Sequence, residues 1–393
     1  MEILEVVWII IQLGIGYNLV LPLLLFILWL LKSKSGKSLK MPFEADYAII
    51  VTAYEQIDTI SHVLNSILKV NYSNYLVYLV ADKCDVSTLG NLDERIVVLR
   101  PEQVLSSNTK SHQYACERFV RNHDFITIID SDNLVHPEYL NELNLSFACG
   151  YSAVQGVRKA KNLNTQIAAL DAARDLYYHF YDGKVLFELG SSATLAGSGM
   201  AFKSELYKRF LTDNVVIGAG FDKVLQAWVV KQDLRIAFAE DAVVFDEKTS
   251  RNDQLVNQRS RWINTWFKYF YIGFDILGKG IRSLSWNQFL FGVILLRPPL
   301  FLFILISLIF LTVNLFLSLT GLLVWILAFS MFCLGFHVSL KVSKADPLIY
   351  RSLLNIPRFI YLQVVSLLNS RNANKRSVAT THYSDQSLDD IEK

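Results

Sequence analysis

The sequence has few cysteines, and none of them stands in a spacing that cysteine chemistry requires. Its four cysteines lie far apart and include no C-x-x-C pair: Cys84, Cys116, Cys149 and Cys333. This pattern excludes the common zinc-binding and disulfide-framework classes. No G-x-G-x-x-G motif follows the first predicted strand, which argues against a dinucleotide-binding oxidoreductase.

The sequence also lacks an excess of charge of either sign. Its 393 residues include 38 basic and 36 acidic side chains, for a formal net charge of +2. Such a balance does not favour nucleic acid as a partner. Apolar residues are abundant instead: hydrophobic side chains make up 52% of the chain, and the mean hydropathy is +0.30. This composition predicts membrane segments.

The first apolar run covers residues 6–31 and contains no charged side chain. A membrane-spanning helix needs about 20 such residues. A cleaved signal peptide would carry basic residues before the run, but here acidic residues precede it and Lys32, Lys34, Lys37 and Lys40 follow it. The pattern predicts a retained anchor whose carboxyl end lies in the cytoplasm.

A second uncharged block covers residues 298–340 and is too long for one helix. Ser318, Thr320 and Gly321 interrupt it, which predicts a helical hairpin with spans at 299–317 and 322–340. Lysines follow the second span, so the chain returns to the cytoplasmic side. We therefore predict three spans.

Two further apolar stretches, 284–296 and 349–368, are predicted to be amphipathic helices at the membrane surface. A fourth span within 349–368 stays open as an alternative. The predicted organisation is an anchor and basic linker (1–40), a globular domain (41–281), interfacial helices with the hairpin (282–369) and a polar tail (370–393).

Strands and helices alternate in the globular domain. Periodicity predicts strands at 47–53, 76–81, 96–99 and 125–129, a helix at 111–121 and a helix opened by Pro137. This alternation predicts an α/β domain with a mostly parallel sheet covered on both faces. Ligands of such sheets bind beyond the carboxyl ends of the strands.

Two carboxylates follow the most apolar of these strands, in the segment Asp130-Ser131-Asp132. Hard oxygen ligands suit Mg²⁺ or Mn²⁺, and such an ion can bridge a diphosphate. A surface turn after a strand is the alternative interpretation.

Two other aspartates stand at similar places. Asp82 follows the strand 76–81, where a carboxylate can hold a nucleotide hydroxyl or simply form a turn. Asp222 precedes a predicted helix at 223–230 and is either its N-cap or a general base aimed into a cleft. Spacing alone does not decide between these interpretations.

The segment Gln258-Arg259-Ser260-Arg261-Trp262 lies on a predicted helix just before the membrane region. Arg259 and Arg261 offer fixed positive charge for a pyrophosphate, and Trp262 offers a flat face for a sugar. A basic, aromatic helix at a membrane surface is the alternative.

Taken in order, these four motifs resemble the membrane-bound, inverting glycosyltransferases of family 2. Cellulose, chitin and hyaluronan synthases belong to this family, as do many exopolysaccharide enzymes. The resemblance covers nearly the whole chain. It implies a GT-A-type, Rossmann-like nucleotide-sugar domain beside the membrane helices.

The resemblance also implies the role of each matching residue. Asp222 is expected to be the general base, and Asp130 and Asp132 to hold Mg²⁺ or Mn²⁺. Donor contacts are expected from Ala53, Glu55, Asp82, Lys110, Asp130, Arg259 and Arg261. Acceptor contacts are expected from Gly199, Met200, Gln258 and Trp262. One departure is Phe221, where the family usually has Glu before the catalytic Asp.

The implied function is hexosyl transfer from a UDP-sugar to a growing polysaccharide, with the catalytic domain in the cytoplasm and the helices in a bacterial inner membrane. Transfer of a single sugar to a membrane lipid is the alternative, and an inactive membrane scaffold is a third hypothesis. A homo-oligomer or an export partner is expected if the product is a polymer, since three spans are few for a polymer channel.

Overall fold

An eight-stranded sheet forms the centre of the globular domain within the part of the chain that the structure describes. That part comprises residues 3–32, 44–216, 218–371, 373–376 and 386–391 of a computed structural model. The spatial order of the strands is β3-β2-β1-β4-β7-β6-β8-β5. Their bounds are β1 Tyr47–Tyr54, β2 Tyr75–Asp82, β3 Ile96–Leu99, β4 Phe125–Asp130, β5 Leu134–Val135, β6 Ala153–Ala160, β7 Met200–Lys203 and β8 Ile236–Asp246.

Strands β3, β2, β1 and β4 are parallel, and β6 is parallel to β8, whereas β7 and β5 run antiparallel to their neighbours. The mostly parallel α/β sheet predicted from the sequence is confirmed. The register pairs Thr52 with Asp130 and Tyr54 with Asp82. The predicted acidic residues therefore lie at one edge of the sheet, at the carboxyl ends of β2 and β4.

Alternate residues of the central strands pack into cores on opposite faces of the sheet. Ile50 and Ile128 belong to the core on one face, and Ile49 and Ile129 to the core on the other. All four are almost fully buried. Burial on both faces explains why these strands are nearly continuous apolar runs rather than alternating ones.

Helices cover both faces and connect the sheet to the membrane segments. Their bounds are α1 Ile3–Leu31, α2 Ile60–Leu68, α3 Asn108–Cys116, α4 Tyr139–Ala148, α5 Gln166–Tyr178, α6 Leu186–Glu188, α7 Ser204–Asp213, α8 Phe221–Lys231, α9 Asn252–Tyr269, α10 Ile272–Ser283, α11 Trp286–Leu296, α12 Leu300–Leu317, α13 Leu319–Val342, α14 Pro347–Ser352, α15 Ile356–Leu368 and α16 Leu388–Ile391. A π-helical segment, His179–Val185, follows α5 directly.

Two helix predictions need correction. The helix predicted at 111–121 begins at Asn108 and ends at Cys116, because the chain beyond it turns to the sheet, where the N–H of Val120 donates to the Tyr78 hydroxyl at 3.1 Å. Pro137 lies two residues before α4, which begins at Tyr139, and so does not open the helix itself.

Three described helices, α1, α12 and α13, are long and apolar enough to cross a membrane, as predicted. They pack into one bundle. The Phe310 ring stacks on Trp325 at 5.5 Å and meets Trp8 edge-on at 5.3 Å. The Gln12 side-chain oxygen accepts hydrogen bonds from Asn314 Nδ2 at 2.6 Å and Trp325 Nε1 at 2.7 Å. The interior of the bundle is therefore filled by side chains.

The apolar stretch 349–368, which Pro357 is predicted to interrupt, is divided between α14 and α15. Pro357 lies in the first turn of α15, a position where its missing N–H removes no hydrogen bond. With 13 residues, α15 is shorter than the roughly 20 that a span needs. It packs instead against α9, where Ser260 Oγ donates to the carbonyl oxygen of Ser366 at 3.0 Å.

One glycine fixes the sheet beneath the acidic edge. Gly156 lies at an irregularity of β6, and its N–H donates to the Gly199 carbonyl at 2.8 Å. A Cβ at Gly156 would lie 2.3 Å from the Ala242 carbonyl oxygen and 3.1 Å from that of Gly199. Both neighbours are backbone atoms, so a side chain has no room here.

We therefore expect Gly156→Ala to lower the free energy of unfolding by about 1–3 kcal/mol, the usual cost of overpacking. Thermal unfolding of the detergent-solubilised protein measures this loss. Gly278→Ala is the matched control, because no atom lies within 4 Å of a Cβ at that helical site. The control should be neutral or stabilising by up to about 1 kcal/mol. Equal effects of the two substitutions would contradict the steric argument.

Candidate functional site

A cavity of about 1250 Å³ opens at the carboxyl ends of β1 and β4. One part of it lies between these strands, the start of α8 and one face of α9. The other part continues between α12, α13 and α15. The cavity thus joins the acidic edge of the sheet to the helices that are apolar enough to enter a membrane.

The cavity separates the predicted site residues into two groups. Those that line it are Asp130, Asp132, Asp222, Gln258, Arg259, Arg261 and Trp262. Those that do not are Ala53, Glu55, Asp82, Lys110, Gly199 and Met200. The motifs around the second group still supply neighbours that do line the cavity, including Thr52, Tyr54 and Gly197.

Asp130 and Asp132 lie on the turn that ends β4, and a serine holds this turn in place. Ser198 Oγ accepts hydrogen bonds from the N–H of Asp130 at 3.1 Å and from Asn133 Nδ2 at 2.8 Å. Gly199 follows with a φ of +66°, and a Cβ there would lie 2.9 Å from Val244. Gly199 therefore shapes the turn from beneath and does not itself line the cavity.

The donor set of this turn fits one particular kind of metal site. Among the described residues, no cluster of three or more His, Cys, Asp or Glu side chains is placed to hold an ion. Two carboxylates on the cavity wall do fit a Mg²⁺- or Mn²⁺-type ion whose other ligands are water and substrate phosphate, because Mg²⁺ is usually bound in that way.

Asp82 is buried beside the cavity and holds a loop. Its carboxylate accepts hydrogen bonds from the N–H of Leu105 at 3.1 and 3.2 Å and from that of Ser106 at 2.8 Å. The side chain is 2% exposed. Ser106 and the following Ser107 line the cavity, so Asp82 shapes the wall from behind.

Three other predicted donor contacts also point elsewhere. Glu55 forms an exposed ion pair with Lys83 at 2.8 Å, and the hydrogen bond from Lys83 lowers the Glu55 pKa. Lys110 is exposed on α3, and the Ala53 side chain is buried in the core. Met200 is likewise fully buried, in β7.

Asp222 lies in the first turn of α8, where the helix dipole favours negative charge. The helix begins at Phe221, and its N-cap is Gly220 with a φ of 96°. The alternative of Asp222 as N-cap is therefore wrong. Gly220 is required sterically as well, since a Cβ would lie 2.5 Å from Thr265. The Asp222 side chain is 19% exposed, and Lys223 Nζ lies 3.3 Å from one of its oxygens.

On α9, the two arginines differ in their surroundings. Arg259 is buried and forms an ion pair with Asp171, and its guanidinium lies 4.0 Å from the Trp262 ring centre. Burial, with the nearby Arg174, lowers the Arg259 pKa to about 10. Arg261 lines the cavity and is half-buried, and burial lowers its pKa as well.

Two guanidinium groups lie close to the Trp262 ring. Arg174 lies 4.6 Å from the centre of its ring, and Arg259 lies 4.0 Å away. The tryptophan is nonetheless 39% exposed and borders the cavity. Gln258 also lines it, and its side-chain oxygen accepts from Thr249 Oγ1 at 3.3 Å. This face of α9 thus lines the site rather than only a membrane surface.

A network of buried ion pairs in the wall of the cavity was missed by sequence reasoning. Asp246 pairs with Arg158 at 2.5 Å and with Lys248 at 2.6 Å, and Lys248 also pairs with Asp175. Burial alone raises the Asp175 pKa, but Arg174, Lys248 and Arg158 together lower it well below its ordinary value. The carboxylate therefore stays charged and keeps the cations in place.

The sequence carries only a faint signal for this network. Asp171, Arg174 and Asp175 stand at positions i, i+3 and i+4 of α5, which places them on one helix face. Alanines occupy much of the rest of the helix. Charges with this spacing are more often a solvated helix face, so the pattern does not by itself predict burial.

The fold is similar to that of a solved glycosyltransferase structure. The mannosyltransferase PcManGT from Pyrobaculum calidifontis, solved with GDP-Man and Mn²⁺, matches with a TM-score of 0.55 and 14% identity, over 92% of this chain and 98% of that one. TarS from S. aureus matches with a TM-score of 0.39 and 16% identity, over 86% of this chain and 56% of that one. The first likeness supports the GT-A-like fold.

The sequence itself matches a family profile over more than half its length. No curated protein matches the chain at a significant level. The profile described as "Glycosyltransferase like family 2" matches residues 45–265. This range includes β1, the Asp130–Asp132 turn, Asp222 and the Gln258-to-Trp262 segment, which are the features that line or support the cavity. The chain therefore belongs to glycosyltransferase family 2.

Proposed function

We propose that this glycosyltransferase moves a sugar from a UDP-sugar donor to an acceptor hydroxyl, with inversion at the anomeric carbon. One observation carries the proposal: the carboxylates of Asp130, Asp132 and Asp222 border the same cavity as Arg261 and Trp262. Metal-binding groups, a base, a fixed cation and a flat aromatic face are the parts that this reaction requires.

The donor would lie at the end of the cavity formed by β1 and β4. Thr52 and Tyr54 border this end, and the loop held by Asp82 closes it with Ser106 and Ser107. Asp130 and Asp132 would hold Mg²⁺ or Mn²⁺, which when bound supplies positive charge to the donor diphosphate. Related structures contain Mn²⁺ with GDP-Man or with UDP.

Asp222 would act on the acceptor. Its carboxylate accepts the proton of the acceptor hydroxyl while that oxygen forms a bond to the anomeric carbon. The bond from this carbon to the diphosphate oxygen breaks, and the electron pair leaves with the nucleotide diphosphate. Arg261 would stabilise the leaving charge electrostatically, while Arg259, paired with Asp171, would keep Trp262 in position.

The membrane helices bear on the choice of acceptor. A growing polysaccharide is the first candidate from the sequence, and a membrane lipid the second. Gln12, Asn314 and Trp325 fill the interior of the described bundle, so a polymer would need a pore from an oligomer or an export partner. The extension of the cavity between α12, α13 and α15 favours the lipid.

The proposed orientation places the catalytic domain in the cytoplasm, with a bacterial inner membrane as the host membrane. Lys32 follows α1, and Lys341 and Lys344 lie at the end of α13. Both ends contact the globular domain. Lys32 donates a hydrogen bond to the carbonyl oxygen of Glu188, and Leu340 near the end of α13 packs in a buried cluster with Ala169 and Ala172 of α5. Basic flanks lie on the cytoplasmic side by the positive-inside rule.

Replacing the proposed base tests the reaction directly. We expect Asp222→Asn to reduce sugar transfer by about 10²–10⁴-fold, the usual contribution of general-base catalysis, while donor binding stays within about twofold. A nucleotide-release assay in nanodiscs would screen UDP-glucose, UDP-N-acetylglucosamine, UDP-galactose, UDP-glucuronate and GDP-mannose, with extracted membrane lipids present as acceptor.

Asp213→Asn is the matched control, since Asp213 is exposed on α7 and does not border the cavity. It should leave both turnover and donor binding unchanged. Unchanged turnover in Asp222→Asn would sink the assignment of the base. If the wild-type protein binds no nucleotide sugar with any metal, the scaffold hypothesis is favoured instead.

The metal proposal has its own test. We expect Asp132→Asn to weaken Mn²⁺-dependent binding of the UDP-sugar at least about tenfold, because even outer-shell substitutions typically cost 10–100-fold in metal affinity. Calorimetric titration of the protein with the UDP-sugar, with and without a metal chelator, measures how much of the donor affinity depends on the metal. Asp241→Asn, at an exposed site outside the cavity, is the control, and equal losses in both variants would contradict the assignment.

Asp82 is proposed to act through the loop it holds, not through contact with the nucleotide. Asp82→Asn removes a charged acceptor of backbone hydrogen bonds, and such a loss typically costs about 1–3 kcal/mol of local stability. We therefore expect roughly tenfold to hundredfold faster amide exchange at Leu105 and Ser106 in the absence of the nucleotide sugar. Hydrogen exchange followed by mass spectrometry measures this. Asp85→Asn is the control, because this exposed carboxylate accepts from the N–H of Ser87 at 3.0 Å, and it should leave the exchange of Leu105 and Ser106 unchanged. An unchanged exchange rate in Asp82→Asn would refute the proposed role.

A further inference from the structure

We infer that the acceptor is a lipid, with its apolar chain in a groove between α12, α13 and α15 and its polar head directed to Asp222. This inference rests on the proposed function and names the acceptor class of the same site. The head carries the oxygen that receives the sugar. The groove is the membrane part of the cavity described above.

The groove runs along the helices rather than across them. On α12 it is lined by Leu300, Ile304 and Leu308, which recur every four residues and so lie on one helix face. On α13 it extends from Phe329 to Leu340. At 1.5 Å per residue, these walls are about 12 Å and about 16 Å long. Both belong to candidate membrane spans, so the groove reaches into the hydrocarbon layer.

The chemistry of the walls selects an apolar occupant. The residues that line the groove on α12, α13 and α15 include no Asp, Glu, Lys or Arg: Leu300, Phe301, Ile304, Leu308, Phe329, Phe332, Cys333, Phe336, His337, Leu340, Ile356, Phe359, Ile360 and Gln363. A glycan chain would lose hydrogen bonds to water here and gain almost none, at a cost for each buried hydroxyl. An alkyl or isoprenoid chain has no such cost.

Between the groove and Asp222, the cavity wall becomes polar. Asp182 pairs with Arg297 at this level, and Oδ1 of the buried Asp182 has no hydrogen-bond partner in the described structure. Gln226 lies one turn after Asp222 on α8, on the same face. Its oxygen accepts from the N–H of Leu195 at 2.9 Å, whereas its buried Nε2 lacks a partner among the described residues.

An unpartnered hydrogen-bond acceptor, Asp182 Oδ1, and an unpartnered hydrogen-bond donor, Gln226 Nε2, thus lie between the apolar groove and the proposed base. Buried polar groups are normally paired, so these two atoms point to a ligand group that completes them. A lipid head with hydroxyl or phosphate oxygens meets Gln226, and a head hydroxyl meets Asp182. The arrangement has the polarity of an amphiphile, apolar at one end and polar beside the catalytic carboxylate.

Two adjacent residues of α13 offer a matched test. Cys333 lines the groove, whereas Leu334, 53% exposed, faces away from it. Cys333→Trp should raise the KM for the lipid acceptor at least about tenfold by filling space that the chain needs, while the affinity for UDP-sugar stays unchanged. Leu334→Trp should alter neither. Leu308→Trp and Ile309→Trp form a second pair on the opposite wall, with Leu308 in the groove.

The assay uses the full chain in nanodiscs and radiolabelled sugar from the donor panel. One arm adds diacylglycerol or ceramide, whose hydroxyl would give its proton to Asp222, and another adds an isoprenyl phosphate, whose anionic oxygen would attack without needing a base. The inference is supported if radiolabel appears in an extractable lipid and if its amount falls in both groove variants but in neither control variant. The arm in which the lipid is labelled then identifies the polar head of the acceptor.

The inference is overturned if groove and control variants behave alike, or if the enzyme elongates only water-soluble oligosaccharides. Either result leaves the proposed function standing, because metal-dependent donor binding and nucleotide release are recorded in the same samples. Absence of nucleotide-sugar binding in the wild-type protein would overturn the proposed function and the inference together.

Discussion

The ion pairs carried by α5 are the constraint on which the rest of the site depends. Asp171 and Asp175 on this helix pair with Arg259 on α9 and with Lys248 after β8. Burying charges is costly, and removing one partner of such a pair typically costs about 3–5 kcal/mol. The network therefore ties the sheet, α5 and α9 into one wall of the cavity, and leaves Trp262 little freedom.

The same stretch of chain continues from the sheet domain to the membrane. α5 passes directly into the π-helical segment His179–Val185, where Asp182 pairs with the buried Arg297 just before α12. Burial raises the Asp182 pKa, although Arg297 counteracts this. Tyr181 in this segment also contacts α13 through its hydrogen bond to Gly335. Contacts from one continuous helical run thus connect the wall of the cavity to the apolar helices α12 and α13.

The sequence predicted the four parallel strands β1 to β4 and the three spans, because these depend on local apolar runs, whereas strands β5 to β8 were not predicted. The strand ending at Asp130 and the three apolar helices needed nothing beyond periodicity and length. The direction of a side chain depends on partners that are distant in sequence, and it was therefore harder to predict. Asp82 follows its strand as a ligand-binding aspartate would, yet the amides of Leu105 and Ser106 occupy its carboxylate. The interruption of 349–368 was predicted from Pro357, and it falls just before this residue because proline is favoured in the first turn of a helix.

Motif matching has the same physical limit. A motif identifies a segment that shapes the site, but not which of its side chains faces the substrate. Gly199 and Met200 illustrate this, since Met200 begins β7 and Gly199 lies directly before it, while the preceding Ser198 holds the Asp130 turn. The α5 network escaped for a related reason, because its partners lie far away in sequence and only the folded chain brings them together.

The departure at Phe221 becomes intelligible in the folded chain. Its side chain is 7% exposed and meets the buried His112 ring edge-on at 5.3 Å. A carboxylate in this place would be buried beside a histidine that burial keeps neutral, with its pKa lowered to about 3, and the cost of an unpaired buried charge would be high. Phe221 therefore serves packing at the start of α8 and leaves Asp222 on the cavity wall. The loss of the acidic neighbour is thus compatible with an active enzyme, and it makes the acceptor side of the cavity less polar, in keeping with an acceptor that is itself largely apolar.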